Sequence, residues 1–516
     1  MRLHVGILGT PHPGWSHLME QEGVSYSFVN VRDSTETFSV LIIGDIIDAP
    51  AADYVRSFLR HGGSILCSGH AFESLTGKKG KRAYVKHILP KPGDSLYIPG
   101  IIDIEMDCVL PNLAGEYLTN TGESAIYVGD LEGGHVVVLP FHPHVVILDN
   151  RNTTRTFFAP RNRMPFERVS MVSKGGIRRL VSRSLELLHH KRGLPYVRKS
   201  CIPENGRSIF ALRIDTDYAN RTMIEELSGL AKRHAVPLTW FIDVGSQRDF
   251  LNLFAGYATD EIGIHCYDHV SYPDKQSNLA NIGKARAALE SVGVHATSFA
   301  SPYGTWNEGI AGAVDESQFV YSSEFSYDYD NLPSHPQCEG RLMKSLQLPV
   351  HPISIGSLRR QGFSTEEMKM YFDTVADRSI ALGEPLFVYH HPGDGNPEIL
   401  EHLFNRVKEA GVHSMTMGAY AVWWKRRTAV TSDFAVDGDQ LSIRTKNTDR
   451  SVGYRISVPD GREAFIATEG IVNLSSLHWD ARSAVLPLPV DYARIRKFNP
   501  WVPLIRFEDM LSKRRK

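Results

Sequence analysis

Residues 206–427 alternate apolar runs with stretches of helical periodicity, and this alternation limits the possible folds more than any other feature of the chain. FALRID is followed by 223–234, with Ile224, Leu227 and Leu230 on one helical face. PLTWFIDVG, EIGIH, ATSFASPYG and PLFVYHHPGD are further apolar runs, with 278–289 helical between two of them. Ser364 and Glu367 have capping-box spacing for a helix running to about residue 381. Asn396 precedes Pro397 as the start of another helix. Repeated β–α units demand parallel strands joined by right-handed crossovers, in a barrel or a doubly wound sheet. In both, sites collect where the strands end.

Two of these runs end in metal-ligand residue types. FALRIDTD closes on Asp215 and Asp217, and EIGIHCYDH on His265 and His269. Residues two apart on an extended backbone point the same way. Residues four apart share a face of one helical turn or tight loop. Carboxylates and imidazoles together suit a divalent transition metal, zinc first. The plain alternative is a buried ion pair with core histidines, in which Asp215 partners Arg213 or His391.

At 516 residues the chain exceeds one core and should hold several domains. The net charge of −1 provides no overall field for nucleic acid or an anionic membrane. No run of eighteen apolar residues spans a bilayer, and the N-terminus reads as a first strand and not a signal peptide. Five scattered cysteines imply no disulfide framework, so a cytoplasmic location is expected.

Residues 1–150 read as an open, flavodoxin-like α/β domain. HVGILG, SVLIIGD and SILC are buried strands, a helix begins near Asp48 and Pro50, and Gly133-Gly134 turns a hairpin. The domain resembles the class I glutamine amidotransferase-like fold through Cys67-Ser68-Gly69-His70 and Phe141-His142-Pro143-His144. Ile65 replaces that family's glycine before the cysteine, and His144 replaces its orienting glutamate. A structural or ligand-binding role is therefore expected, ahead of an amidotransferase using Cys67. Residues 151–205 read as a basic helical linker. Its helix at 174–192 either packs between domains or touches a membrane surface peripherally. Residues 428–490 read as a small antiparallel β module, and 491–516 as a C-terminal tail.

Residues 206–427 resemble the polysaccharide deacetylases, carbohydrate esterase family four. Asp215-Thr216-Asp217, His265-Cys266-Tyr267-Asp268-His269, Ser301-Pro302-Tyr303-Gly304 and His390-His391-Pro392 carry the resemblance, in the family's order. It implies a (β/α) barrel holding Zn2+ or another divalent transition metal on Asp217, His265 and His269. It implies Asp215 as base, the Tyr303 backbone N–H as oxyanion donor and His391 as acid, with His390 the second choice. Pro302 and Trp306 would line the substrate site, although Trp306 equally suits a core. Ala300 stands where the family has an arginine, so Arg213 or Glu324 would have to brace the base. The implied function is removal of an N-acetyl or similar N-acyl group from an amino sugar or glycan precursor. The alternative is a weak or inactive glycan-binding or metal-sensing protein that keeps the metal site.

Overall fold

In the computed structural model, residues 1–159, 164–467, 469–483, 495, 499–500, 502–504 and 507 are described. The chain opens with β1 (Val5–Leu8), α1 (Pro13–Glu22), β2 (Tyr26–Val29), β3 (Val40–Ile43), α2 (Ala49–Arg60), β4 (Ser64–Ser68) and α3 (Gly69–Thr76). β5 (Lys81–Leu89), β6 (Ile102–Leu110), β7 (Glu116–Thr119), β8 (Ser124–Leu131) and β9 (Gly134–Leu139) complete one sheet in the order β2-β1-β3-β4-β9-β8-β7-β5-β6. The first five strands in that order are parallel, and the rest pair antiparallel. Strand alternation splits the apolar residues between two faces. Val40, Ile42 and Leu66 pack with Trp15 and Leu18 of α1, while Leu41, Ile43, Ile65 and Cys67 pack with Val55, Phe58 and Phe72 of α2 and α3. Asp48 caps α2 by accepting from Ala51 N at 3.0 Å, and Gly133, with φ 90°, turns the β8–β9 hairpin.

Residues 151–205 are no linker. After α4 (Pro143–Val146) and the hairpin of β10 (Asn152–Thr156) with β11 (Phe166–Ser170), helix α5 (Lys174–Lys191) lies on the same sheet face as α1. Ile177, Leu180, Val181, Leu185 and Leu188 are all buried there. The basic residues of its first turns are buried as well: Arg178 pairs with Glu384, and Arg179 holds Glu384 at 2.8 Å and Asp330 at 3.0 Å. These partners belong to the following α/β region, so the side chains expected to face solvent or a membrane instead join two parts of the protein. No helix among the described residues is long and apolar enough to cross a membrane.

β12 (Tyr196–Lys199) leads into the second parallel sheet. Its strands are β13 (Ile209–Asp215), β14 (Leu238–Asp243), β15 (Glu261–Cys266), β16 (Ser298–Phe299) and β17 (Tyr321–Ser322). After the two-residue hairpin of β18 (Gln337–Cys338) and β19 (Arg341–Leu342) come β20 (Leu346–Gln347), β21 (Leu386–His390) and β22 (His413–Ser414). Helices α6 (Arg221–Arg233), α7 (Lys275–Ser291), α8 (Glu308–Glu316), α9 (Ile355–Arg360), α10 (Thr365–Leu382), α11 (Pro397–Glu409) and α12 (Met417–Ala429) intervene or follow. The order is β20-β17-β16-β15-β14-β13-β21, with β22 beside β13. The expected (β/α) barrel takes the form of a parallel half-barrel. Among the described residues, a single bridge, His351 to Val388, links the segment after β20 to β21. The strands of that half are two residues long, too short for a full ladder. The capping box of α10 forms, whereas Asn396 has φ 56° and makes no side-chain cap on α11.

Beyond α12, β23 (Thr431–Asp437), β24 (Gln440–Lys446) and β27 (Gly470–Asn473) form one antiparallel sheet. β25 (Tyr454–Ser457), β26 (Arg462–Ile466) and β28 (Asp480–Ala481) form another, to which β12 adds from before the half-barrel. The N-terminus also joins this region, with Leu3 N donating to Phe434 O at 2.8 Å. Most of the expected tail at 491–516 lies outside the described residues.

Because Leu185 is fully buried against the first sheet, Leu185→Ala should destabilise the protein by about 2–5 kcal/mol in chemical denaturation. A helix lying free between domains would lose less than about 0.5 kcal/mol.

Candidate metal centre

Parallel register brings the ends of β13, β14, β15 and β21 to one edge of the half-barrel. β13 stops at Asp215, and Thr216 fixes the turn that follows. Its Oγ1 accepts from Asp243 N at 2.8 Å, and its carbonyl accepts from Gln247 Nε2 at 2.8 Å. Asp217 then faces the β15 edge. His265 is the penultimate residue of β15, and His269 lies in the loop after it. That loop is clamped by Asn281 of α7, whose Oδ1 accepts from Tyr267 N and Asp268 N at 2.9 and 2.8 Å.

Asp217, His265 and His269 converge. Asp217 Oδ1 is 3.0 Å from His265 Nε2 and 3.2 Å from His269 Nε2, and the two Nε2 atoms are 3.2 Å apart. Such spacings suit three ligands of one small ion bonded at about 2.0–2.2 Å. Asp217 Oδ1 is buried without a hydrogen-bond partner among the described residues. His265 Nδ1 lies 2.7 Å from the Ala300 carbonyl; donating to it leaves the Nε2 lone pair aimed at the carboxylate. Burial alone would raise the Asp217 carboxyl. The imidazoles of His265, His269 and His391 outweigh burial and hold it well below the usual carboxylate range. The donor set fits a divalent transition metal, zinc among them.

Asp215 is held apart from this triangle. Arg213 Nε and Nη2 donate to its two oxygens, both at 2.7 Å, in a bidentate pair with the arginine fully buried. The i, i+2 spacing on β13 places both side chains on one face. Phe241 and Tyr389 flank the guanidinium at 5.3 and 5.7 Å, and Arg213 also donates to Ser323 Oγ at 3.2 Å. Glu324 is turned elsewhere: its Oε1 accepts from Ser301 N at 3.1 Å, and burial pushes its carboxyl up to about 7. The side chain bracing Asp215 is therefore Arg213, with Ala300 buried nearby in the apolar core.

From β21, His391 approaches the other carboxylate oxygen, with Nε2 3.7 Å from Asp217 Oδ2. Its Nδ1 lies 3.0 Å from Asp394 Oδ2. Burial would lower this imidazole. The hydrogen bond and charge of Asp394, with Asp217 and Asp215, reverse that and raise it to about 9. Asp394 was not evident in the sequence. It sits in the Pro392–Asp394 turn, and a Cβ at Gly356 would lie 1.9 Å from its Oδ1, so only glycine leaves it room. His390 is buried on the opposite side of the strand, with Nδ1 unpartnered among the described residues and its imidazole lowered by burial to about 4.

Tyr303 is half exposed, with φ 61°, and its ring stands 4.9 Å from that of His269. Tyr218, not anticipated from sequence, mirrors it: 60% exposed, φ 50°, ring 5.3 Å from His269. A non-glycine residue in this region is uncommon, and such conformations cluster at functional sites. Pro302 is buried at the start of the same turn, where its carbonyl accepts from Ser271 Oγ at 3.0 Å. Trp306 corrects its expected role. It is 4% exposed in the apolar core, 4.8 Å from the Tyr327 ring, and presents no open face to a ligand.

In the first sheet, Cys67 packs into the apolar layer under α2 and α3, and burial pushes its thiol far up. A nucleophilic cysteine needs a lowered pKa and access, and Cys67 has neither.

No known protein-family profile matches the chain, and no curated protein matches it. Among solved structures, a Mycobacterium smegmatis protein assigned as a polysaccharide deacetylase is 18% identical, covering 44% of this chain and 94% of its own, at a TM-score of 0.37. A family 4 carbohydrate esterase from Streptomyces lividans, in complex with acetate, is 12% identical over 41% and 92%, at 0.29. A CE4 family pseudoenzyme from Bacillus anthracis is 15% identical over 43% and 68%, at 0.30. Likenesses this distant bear on neither substrate nor activity.

Removing Arg213 strands a buried carboxylate. Arg213→Met should cost about 3–5 kcal/mol in urea unfolding at pH 7. Arg213→Met combined with Asp215→Leu should recover most of that loss; a double variant no more stable than the single one contradicts the pairing.

Proposed function

We propose that the chain is a metal-dependent hydrolase that removes an N-acyl group, in the simplest case N-acetyl, from an amino sugar or glycan. The observation supporting this most is the two-sided arrangement about Asp217. Histidines crowd one carboxylate oxygen, and a His391–Asp394 pair faces the other. Purely structural ion pairs have no need of a second, aspartate-oriented imidazole on the open side.

Asp217, His265 and His269 would hold the ion, Zn2+ or another divalent transition metal. When bound, the ion supplies Lewis acidity toward a carbonyl and a water. Asp215 takes a proton from the attacking water, its carboxylate fixed in place by the Arg213 fork. The Tyr303 backbone N–H donates to the developing oxyanion. His391, held by Asp394, gives a proton to the departing amine through Nε2. The exposed rings of Tyr218 and Tyr303 form two apolar walls beside His269, suited to the face of a pyranose.

A second reading has one observation in its favour. Both oxygens of Asp215 already accept hydrogen bonds from Arg213, as in a structural ion pair. In that reading the protein is a weak or inactive glycan-binding or metal-sensing protein with a retained ion.

Asp215→Asn separates the two. In a hydrolase it abolishes acetate release from N-acetylated amino sugars while the ion stays bound. Wild-type protein, metal-loaded and silent on a broad panel of N-acyl sugars, would contradict the hydrolase. Asp394→Asn tests the acid. His391 must be protonated to donate, and losing the Asp394 charge lowers its pKa. The basic limb of the kcat profile should therefore move to lower pH; an unmoved limb would remove His391 from that role.

A further inference from the structure

Several parts of the protein meet at a cleft on the edge of the half-barrel opposite the metal centre. Its walls are the middle of α5, the end of α10 with Gly383 and Glu384, residues 97–99, and the sheet that contains β12, β25 and β26. Arg207 comes just before β13 and Glu384 just before β21, so the cleft lies at the amino ends of strands whose carboxyl ends carry the metal centre. Its volume is about 690 Å³, within the range of small-molecule sites.

The cleft is basic. Among the described residues, seven arginines line it, against Glu384, Glu463 and Asp480. Four of the seven are matched by acids. Glu384 takes Arg178 and Arg179, Glu186 takes Arg183 and Arg482 at 2.8 Å each, and Arg482 also reaches Glu463 at 3.0 Å. Arg198, Arg207 and Arg455 are left over. The acidic neighbour of Arg198 is Glu22, with Nε 3.7 Å from Oε1, an oxygen that already accepts from Ser182 Oγ at 2.7 Å and Tyr196 OH at 2.9 Å. Arg207 is exposed and forms no ion pair among the described residues.

Arg455 is the most telling member. It stands directly opposite Arg198 in the antiparallel pairing of β12 with β25. Residues opposed in this way share a sheet face, and like charges there repel. Arg455 Nη2 donates to the Gly206 carbonyl at 2.7 Å, while its Nε is buried with no hydrogen-bond partner among the described residues. Burial and the facing Arg198 both lower its guanidinium from the ordinary value. An anion set between the two guanidiniums turns their repulsion into two attractions. The planar fork of arginine matches the oxygens of phosphate two at a time. Three unmatched arginines call for more than one negative charge. The chain's own continuation past Ser483 does not supply it, since 484–494 carries one acid, Asp491, and one arginine, Arg494. Ile98, Leu382 and Phe465 add an apolar wall, which a bare inorganic anion would leave unused.

We propose that this cleft binds a small organic phosphate carrying at least two negative charges. Arg198 and Arg455 hold the phosphate from the two strands, Arg207 joins them beside Gly206, and the organic part lies against Ile98, Leu382 and Phe465. The proposal is independent of the hydrolase reading, because the cleft shares no residue with the metal centre.

The test is isothermal titration calorimetry of metal-loaded full-length protein with ADP, inorganic pyrophosphate and adenosine. ADP should bind at one equivalent per chain, pyrophosphate should compete with it, and adenosine should not bind. Arg455→Met should weaken ADP by about 10–150-fold, the worth of a hydrogen bond to a charged group. Arg455→Lys keeps the charge and loses the fork, so it should weaken ADP nearly as far. Arg207→Gln, at an exposed position that folding does not need, should weaken it too. Arginine-dependent binding of pyrophosphate with none of ADP upholds the proposal and excludes adenosine as the organic part. It is overturned if neither phosphate gives saturable heat at millimolar concentration, or if adenosine binds as tightly as ADP. Binding that Arg455→Met and Arg207→Gln both leave unchanged, as at the metal centre, overturns it as well.

Discussion

One carboxylate oxygen, Asp217 Oδ1, is held 3.0–3.2 Å from two imidazole nitrogens, and the candidate site is built about that point. Lone pairs do not gather in a protein interior without something to gather around, because unpaired buried polar atoms cost roughly 1–3 kcal/mol each. The groups around it all serve this arrangement. Thr216 and Gln247 set the turn that presents Asp217, Asn281 clamps the loop that presents His269, and the Ala300 carbonyl orients His265. The parallel register of β13 with β14 and β21 brings these otherwise distant stretches to one edge.

The charges nearby are sorted into pairs that keep them apart. Arg213 neutralises Asp215 from the same strand, and Asp394 neutralises His391 from the following turn. Both pairings are local in sequence, so their geometry is set by strand alternation and a short turn. Across the protein the opposite holds. The ion pairs of α5 with Glu384 and Asp330 join residues 150 or more positions apart and tie the two sheets into one body.

This contrast explains what the sequence revealed. Asp217, His265 and His269 were legible because each stands at or just past the end of an apolar run, where the spacing fixes which side chains point together. Arg213 was legible as a neighbour of Asp215 for the same reason. Asp394 and Asn281 were not: one is a turn residue whose role depends on the space left by Gly356, the other a helix residue whose partners lie in the preceding loop. α5 misled because arginines on an amphipathic helix suggest a wet face, and their acidic partners lie far along the chain. Trp306 misled because proximity to a motif says nothing of which way a ring faces, and here it faces the core. The open edge of the half-barrel was hidden too, since two-residue strands leave almost no period to read.

The central claim is that three side chains from β13, β15 and the loop after β15 close on one ion. Anomalous X-ray scattering at the zinc edge, from crystals of zinc-loaded protein, tests it most directly. The account requires a peak about 2.0–2.2 Å from Asp217 Oδ1, His265 Nε2 and His269 Nε2. A map with no peak there, and with Asp217 hydrogen-bonded directly to the two imidazoles, would contradict it.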